Sequence, residues 1–266
     1  MKTTKAEQLL SELKIDSPEK IDPVLIANHL NLTVEYEELE GCEASLFSMG
    51  DSGSIIVKSS SNPRRKRFSI AHEIGHWIFD KGQVTQCVKS DLHRWIHGNK
   101  ETSANKFASD LLLPKRMLGN SLHVRKITLD LIEEISEKFD VSITATAIKL
   151  VSESDFPACV TFFDGQSRQW IFPNKHVPDA RDGFTFVKIL QDGTVAKKLQ
   201  SGKLTSKGGA EVDANLWVNE SDAENYTLWE ESFKSQYGIL TVLSWPKQDQ
   251  IINFLSKDEG EAESDF

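Results

Sequence analysis

The chain has 266 residues, with 31 Lys and Arg against 40 Asp and Glu and a formal net charge of −9. Apolar residues make up 39% and charged residues 27%, the balance of a globular protein with room for one large or two modest domains. No window approaches 18 apolar residues, which excludes a membrane span, and the acidity argues against direct nucleic-acid binding, which needs a basic surface. Met1 to Ile15 carries no apolar run, so no signal peptide is expected. Cys42, Cys87 and Cys159 are widely spaced and odd in number, a pattern that suits a reducing, cytoplasmic setting better than a disulfide framework. The acid is uneven. Residues 257–266 hold five acids and one lysine, and residues 251–266 read as an acidic, disordered tail.

In chain order, Asp22-Pro23 is an N-cap followed by proline at the first helical position, starting a helix to about Leu30. Leu32 to Tyr36 and Ser54 to Val57 read as strands, with a loop rich in Gly and Ser between them. Asn62-Pro63 starts a second helix, which runs to about Phe79 and is stopped by Asp80-Lys81-Gly82. A further helix covers about Glu101 to Leu113 and must end before Pro114. Leu129 to Phe139 and Ile143 to Val151 are two helices joined by a tight turn. Past Phe156 the character turns to short β-type runs: Cys159 to Phe163, Gln169 to Phe172, Phe184 to Ile189 and Ile239 to Trp245.

The chemistry is concentrated in His72-Glu73-Ile74-Gly75-His76. On a helix, residues four apart project from one face, so both imidazoles can bind one zinc with Glu73 alongside to handle a proton. Ile70, Ile74, Trp77 and Ile78 form a separate apolar stripe, so the histidines are not needed as core filler. A zinc hydrolase needs a third protein ligand and a position for water. Glu101 is the best candidate, against the plainer reading of a first-turn glutamate favoured by the helix dipole. Asn105, one turn on, is placed to hydrogen-bond a ligand, and Ala104 and Ala108 on the same face allow close helix approach. His93 and His97 share the i, i+4 spacing; they either face the cleft, where one can stabilise an oxyanion, or lie on the surface.

The blocks Arg67-Phe68-Ser69-Ile70-Ala71-His72-Glu73-Ile74-Gly75-His76 and Glu101-Thr102-Ser103-Ala104-Asn105-Lys106-Phe107-Ala108, with Leu111-Leu112-Leu113-Pro114 after it, resemble the ImmA/IrrE family of metallo-endopeptidases. The likeness covers about residues 20 to 150. One departure is Leu113, where the family usually has methionine. The resemblance implies zinc ligands His72, His76 and Glu101, one zinc per chain, and Glu73 as catalytic base. It also implies a zincin-like metallopeptidase domain of helices and a small sheet over residues 1–125. With the helix-turn-helix-like helix pair over 126–153 and the β-rich unit over 154–250, both read from the residue pattern, the fold class is α+β. The last unit resembles, by position only, the sensor-like or regulatory C-terminal units of some family members. The substrate class that the family resemblance implies is a helix-turn-helix transcriptional repressor, whose cutting releases mobile-element, stress-response or defence genes.

Three further expectations concern substrate and partners. The strand containing Ile56 is expected to be a free sheet edge to which the substrate adds as an extra strand. Arg65, in the basic run Arg64 to Arg67 and on the stripe of His72, is either a solvated residue at a helix start or a contact for an acidic part of the substrate. Trp170, Trp217, Trp229 and Trp245 either line a pocket or pack in a core. No membrane partner is expected, and the sequence leaves oligomeric state open. The competing reading is a non-catalytic binding module that neutralises a repressor or toxin by contact, with zinc structural.

Overall fold

Thr4 starts the first helix with a capping box: its hydroxyl accepts from the Glu7 amide and the Glu7 carboxylate accepts from the Thr4 amide. The structure, a computed structural model, describes residues 3–80, 100–124, 126–165, 167–178, 184–219 and 223–245. Helix α1 (Lys5–Glu12) buries Ala6, Leu9 and Leu10. Helix α2 (Pro23–His29) starts as its sequence predicts, with the Asp22 carboxylate accepting from the amides of Val24 and Leu25. Strands β1 (Leu32–Glu37), β2 (Ala44–Met49) and β3 (Ser52–Lys58) form a sheet in the order β1-β3-β2. β1 is parallel and β2 antiparallel to β3.

This order corrects the expectation of a free edge at Ile56. β3 is hydrogen-bonded on both sides, because the Gly- and Ser-rich stretch before it contains β2. Within β2, Ala44, Ser45 and Leu46 are all buried while Phe47 and Met49 are exposed, so the run lacks the apolar–polar alternation that would have marked a strand. On β3, Gly53, Ile55 and Val57 are buried, while Ser54, Ile56 and Lys58 are half-buried on the opposite face.

Helix α3 (Pro63–Phe79) follows the sheet and packs with α4 (Lys100–Leu112); the short α5 (Lys115–Leu118), α6 (Leu129–Phe139) and α7 (Ile143–Glu153) come next. The turn between α6 and α7 is tight because Asp140 adopts φ +50°. Its carboxylate is the anchor for the start of α3: Arg64 reaches one oxygen at 3.2 Å and Arg67 the other at 3.4 Å. Arg64 also donates to the Ser136 hydroxyl, Arg67 donates to the Ile21 carbonyl, and Lys66 sits over the Tyr36 ring. These partners offset the poor fit of cations to a helix N-terminus.

The chain divides into two compact units. One holds Met1–Gly119 and Glu134–Thr146; the other holds Asn120–Glu133 and Ala147–Phe266. The division falls inside the helix pair, so α6 and α7 each give residues to both.

The second unit is β-rich. Strands β4 (Ala158–Asp164), β5 (Ser167–Pro173), β7 (Lys207–Asp213), β9 (Thr227–Ser235) and β10 (Gly238–Ser244) form an antiparallel sheet in the order β5-β4-β10-β9-β7. A two-residue ladder joins β6 (Thr185–Phe186) to β8 (Val218–Asn219), and α8 (Val195–Gln200) packs on β9. The expected strand from Phe184 to Ile189 narrows to Thr185–Phe186; past it the Val187 amide donates to the Trp217 carbonyl and the Arg168 guanidinium donates to the carbonyls of Phe186 and Val187. Trp217 and Trp245 are fully buried core residues against Phe163 and Phe184. Trp170 stacks on Phe162, and Trp229 lies under the Lys126 ammonium. The acidic tail, residues 251–266, lies outside the described residues.

Candidate metal centre

The site is built on two helices that approach closely. α3 begins where the Asn62 side chain accepts from the Arg65 amide, with Pro63 at the first helical position. From Ser69 to Trp77 every residue is buried. A Cβ on Gly75 would stand 3.0 Å from Cα of Ala104, so glycine here and alanine there set the spacing of α3 and α4. At that spacing Glu101 and Asn105 of α4 reach the histidines of α3.

The donor atoms converge. Nε2 of His72 lies 3.1 Å from Nε2 of His76. The Glu101 carboxylate places one oxygen 3.3 Å from the first and the other 3.5 Å from the second. Four ligands at about 2.0–2.1 Å around a tetrahedral zinc sit about 3.3 Å apart along each edge, so two imidazoles and a carboxylate with these separations fit that ion in spacing and in donor chemistry. His72, His76 and Glu101 form the group able to hold a metal among the described residues.

The far nitrogens fix the rings. Nδ1 of His72 is 2.9 Å from Oδ1 of Asn105, and Nδ1 of His76 is 3.2 Å from a carboxylate oxygen of Asp80. With Nδ1–H donating outward, each Nε2 keeps its lone pair for a metal. His72 and His76 also hold the Glu101 carboxyl well below the usual carboxylate range. Burial pushes His76 toward the neutral form, but Glu101 and Asp80 outweigh it and raise its pKa. Glu73 is 1% exposed, and its charge acts on His76 in the same direction.

Asn105 therefore occupies the place its helical spacing suggests. Asp80 was missed as a partner, although it lies four residues beyond His76 on the same face; as a residue before Lys81-Gly82 it read only as a helix stop. Arg65 reaches Glu43 at 3.6 Å. Ile56 stands on the sheet face opposite the buried side chains of β3. His93 and His97 lie outside the described residues. Cys42 is 3.6 Å from the Ser45 hydroxyl and has no place in the donor group.

A family model described as the IrrE N-terminal-like domain, Peptidase M78, matches residues 27–151. These residues are thus similar to the IrrE N-terminal-like domain. The radiation response metalloprotease IrrE of Deinococcus radiodurans is 28% identical over 108 residues, 39% of this chain and 32% of that protein. Its namesake in Deinococcus deserti is 30% identical over 120 residues, 43% of this chain and 41% of that protein. The chain thus spans less than half the length of these curated relatives. A Mycobacterium tuberculosis transcriptional regulator of known structure shares the fold with a TM-score of 0.57 and 11% identity, covering 96% of this chain and 78% of its own. The IrrE-like domain contains His72, Glu73, His76 and Glu101, together with β1 to β3 and α3 to α6. The strands of the second unit lie outside it. No described helix is long and apolar enough to cross a membrane.

Proposed function

We propose that the chain is a zinc-dependent endopeptidase that cuts a helix-turn-helix transcriptional repressor. The convergence of His72, His76 and Glu101 beside Glu73 carries the reading of the reaction, and the family resemblance supports the choice of substrate. When bound, zinc would supply Lewis-acid polarisation of the scissile carbonyl and acidify a water to near neutrality. Glu73 takes the proton of the attacking water and hands it to the leaving amine, the work of a positioned general base and acid. Asn105 and Asp80 hold the imidazoles in the metal-binding tautomer. Burial of the whole segment from Ser69 to Trp77 keeps these groups fixed between sheet and helix. A substrate that adds as a strand does so at β2, which packs on α3, and not at β3, whose two sides are taken.

The test is co-expression with candidate helix-turn-helix repressors, those of neighbouring genes first. Wild type yields repressor fragments and Glu73→Gln does not, while both bind close to one zinc per chain. Fragments with both proteins, or with neither, overturn the proposal. His76→Ala loses the zinc, measured by elemental analysis of the purified chain.

A further inference from the structure

The seam between α3 and α4 continues past the metal donors. His76 stands opposite Glu101 and His72 opposite Asn105, so the two helices run antiparallel. One turn nearer the start of α3, Phe68 lines a cavity of about 190 Å³ that lies wholly within the first unit. The Phe68 ring centre is 6.4 Å from that of His72. Leu112 at the end of α4, Leu113 just after it and Val141 from the turn before α7 supply its apolar wall. Arg64 and Arg65 are the charged residues lining it, and no acid is among the described lining residues. An apolar cavity of about 150 Å³ accepts benzene, so this one has room for a leucine, methionine or phenylalanine side chain.

We propose, resting on the endopeptidase reading above, that this cavity is a specificity pocket for a large apolar side chain of the substrate, with Arg65 at its rim meeting an acidic residue next to it. Along α3, Phe68 is about 6 Å and Arg65 about 10 Å from His72 at 1.5 Å per residue. An extended peptide advances about 3.3 Å per residue. The side chain that fills the pocket therefore belongs to a residue two or three positions from the cleaved bond. Arg65 is half-buried, carries its charge to the cavity lining and belongs to the same helix stripe as His72. Arg64 is committed to Asp140 and Ser136 and serves as wall.

The experiment uses the full chain and a synthetic library of fixed-length random peptides. Zinc-loaded Glu73→Gln protein is immobilised, captured peptides are sequenced by mass spectrometry, and wild type is given the same library for cleavage. Capture enriches Leu, Met or Phe about tenfold, with Asp or Glu adjacent, and wild type cuts two or three residues from that position. Ala145→Trp fills the cavity from the half-buried first turn of α7 and abolishes the apolar preference. Arg65→Glu reverses the acidic preference and keeps the apolar one, a readout that stands even if the tryptophan variant fails to fold. No capture, unselective capture, or selectivity unchanged in both variants overturns the pocket. Selective capture without any cutting by wild type supports the pocket and removes the endopeptidase reading.

Discussion

Asp80 and Asn105 do the same work from opposite directions. Each accepts from the Nδ1 of one imidazole, Asn105 across the helix interface at 2.9 Å and Asp80 along the same helix at 3.2 Å. Their chemistry differs, since the Asp80 carboxylate also raises the basicity of His76, whereas the Asn105 amide only orients His72. Asp80→Ala is therefore expected to weaken zinc binding about 10- to 100-fold, the usual cost of losing such a partner. Asp80→Asn keeps an acceptor and falls between that variant and wild type. Competition with a chelating dye measures both, and equal affinities in all three proteins would show that Asp80 does not hold the ring. His72, His76, Glu101 and Asn105 were legible in the sequence because helical spacing puts each pair on one face of its helix and the family resemblance brings the two pairs together. The partners of Arg64 to Arg67 were not, because Ile21, Tyr36, Glu43 and Asp140 come near only after folding.

At the scale of elements, the small sheet shows how one hidden strand changes the meaning of its neighbours. Without β2, the run from Ser54 to Val57 reads as an edge open to a substrate; with it, β3 is the middle strand and Ile56 pairs with Glu35 on one side and Ser45 on the other. Proline removes a ladder donor and is tolerated at edges far better than in central strands. Ile56→Pro is thus expected to cost about 1–3 kcal/mol for the ladder partner it leaves unsatisfied, and to lower the unfolding temperature of the chain. Met49→Pro, at the exposed end of β2, is expected to cost much less. Circular dichroism melts rank the two, and an Ile56→Pro protein as stable as wild type would contradict the strand order. The helices were the most legible elements, since caps and proline mark α2 and α3 at their first residues. β7 and β9 escaped notice for a physical reason: β7 carries Gly208 and Gly209, and β9 carries Glu230 and Glu231, none of which reads as a strand. The pairing makes sense of Gly209 and Glu231. Gly209 lacks the Cβ that would strike the Glu231 carboxylate, and Glu231 in turn accepts from the Leu129 amide at the start of α6 and from the Trp229 indole.

At the scale of the whole molecule, the candidate metal donors all belong to one unit and the most deeply buried carboxylate among the described residues belongs to the other. Glu230 is 0% exposed, and burial pushes its pKa up against the pull of its hydrogen bonds. It accepts from the amides of Val195 and Ala196 at the start of α8, from the Trp217 indole and from the Ser232 hydroxyl. A single side chain thus ties α8, β9 and the aromatic core together. Glu230→Ala would leave two amides and an indole N–H buried without this acceptor, at about 1–3 kcal/mol each, and a cavity beside Trp217. The expected loss is on the order of 4 kcal/mol, enough to consume a large share of the stability of an ordinary domain. Glu230→Gln returns one acceptor oxygen and loses less. Because His72, His76 and Glu101 lie in the other unit, zinc measured per folded chain stays near wild type in both variants, while urea unfolding followed by tryptophan fluorescence reports the damage to Trp217. If Glu230→Ala unfolds at the wild-type urea concentration, its carboxylate is not the tie between α8 and β9; if it loses zinc while the second unit keeps its native fluorescence, the metal centre depends on that unit in a way its donor set does not show.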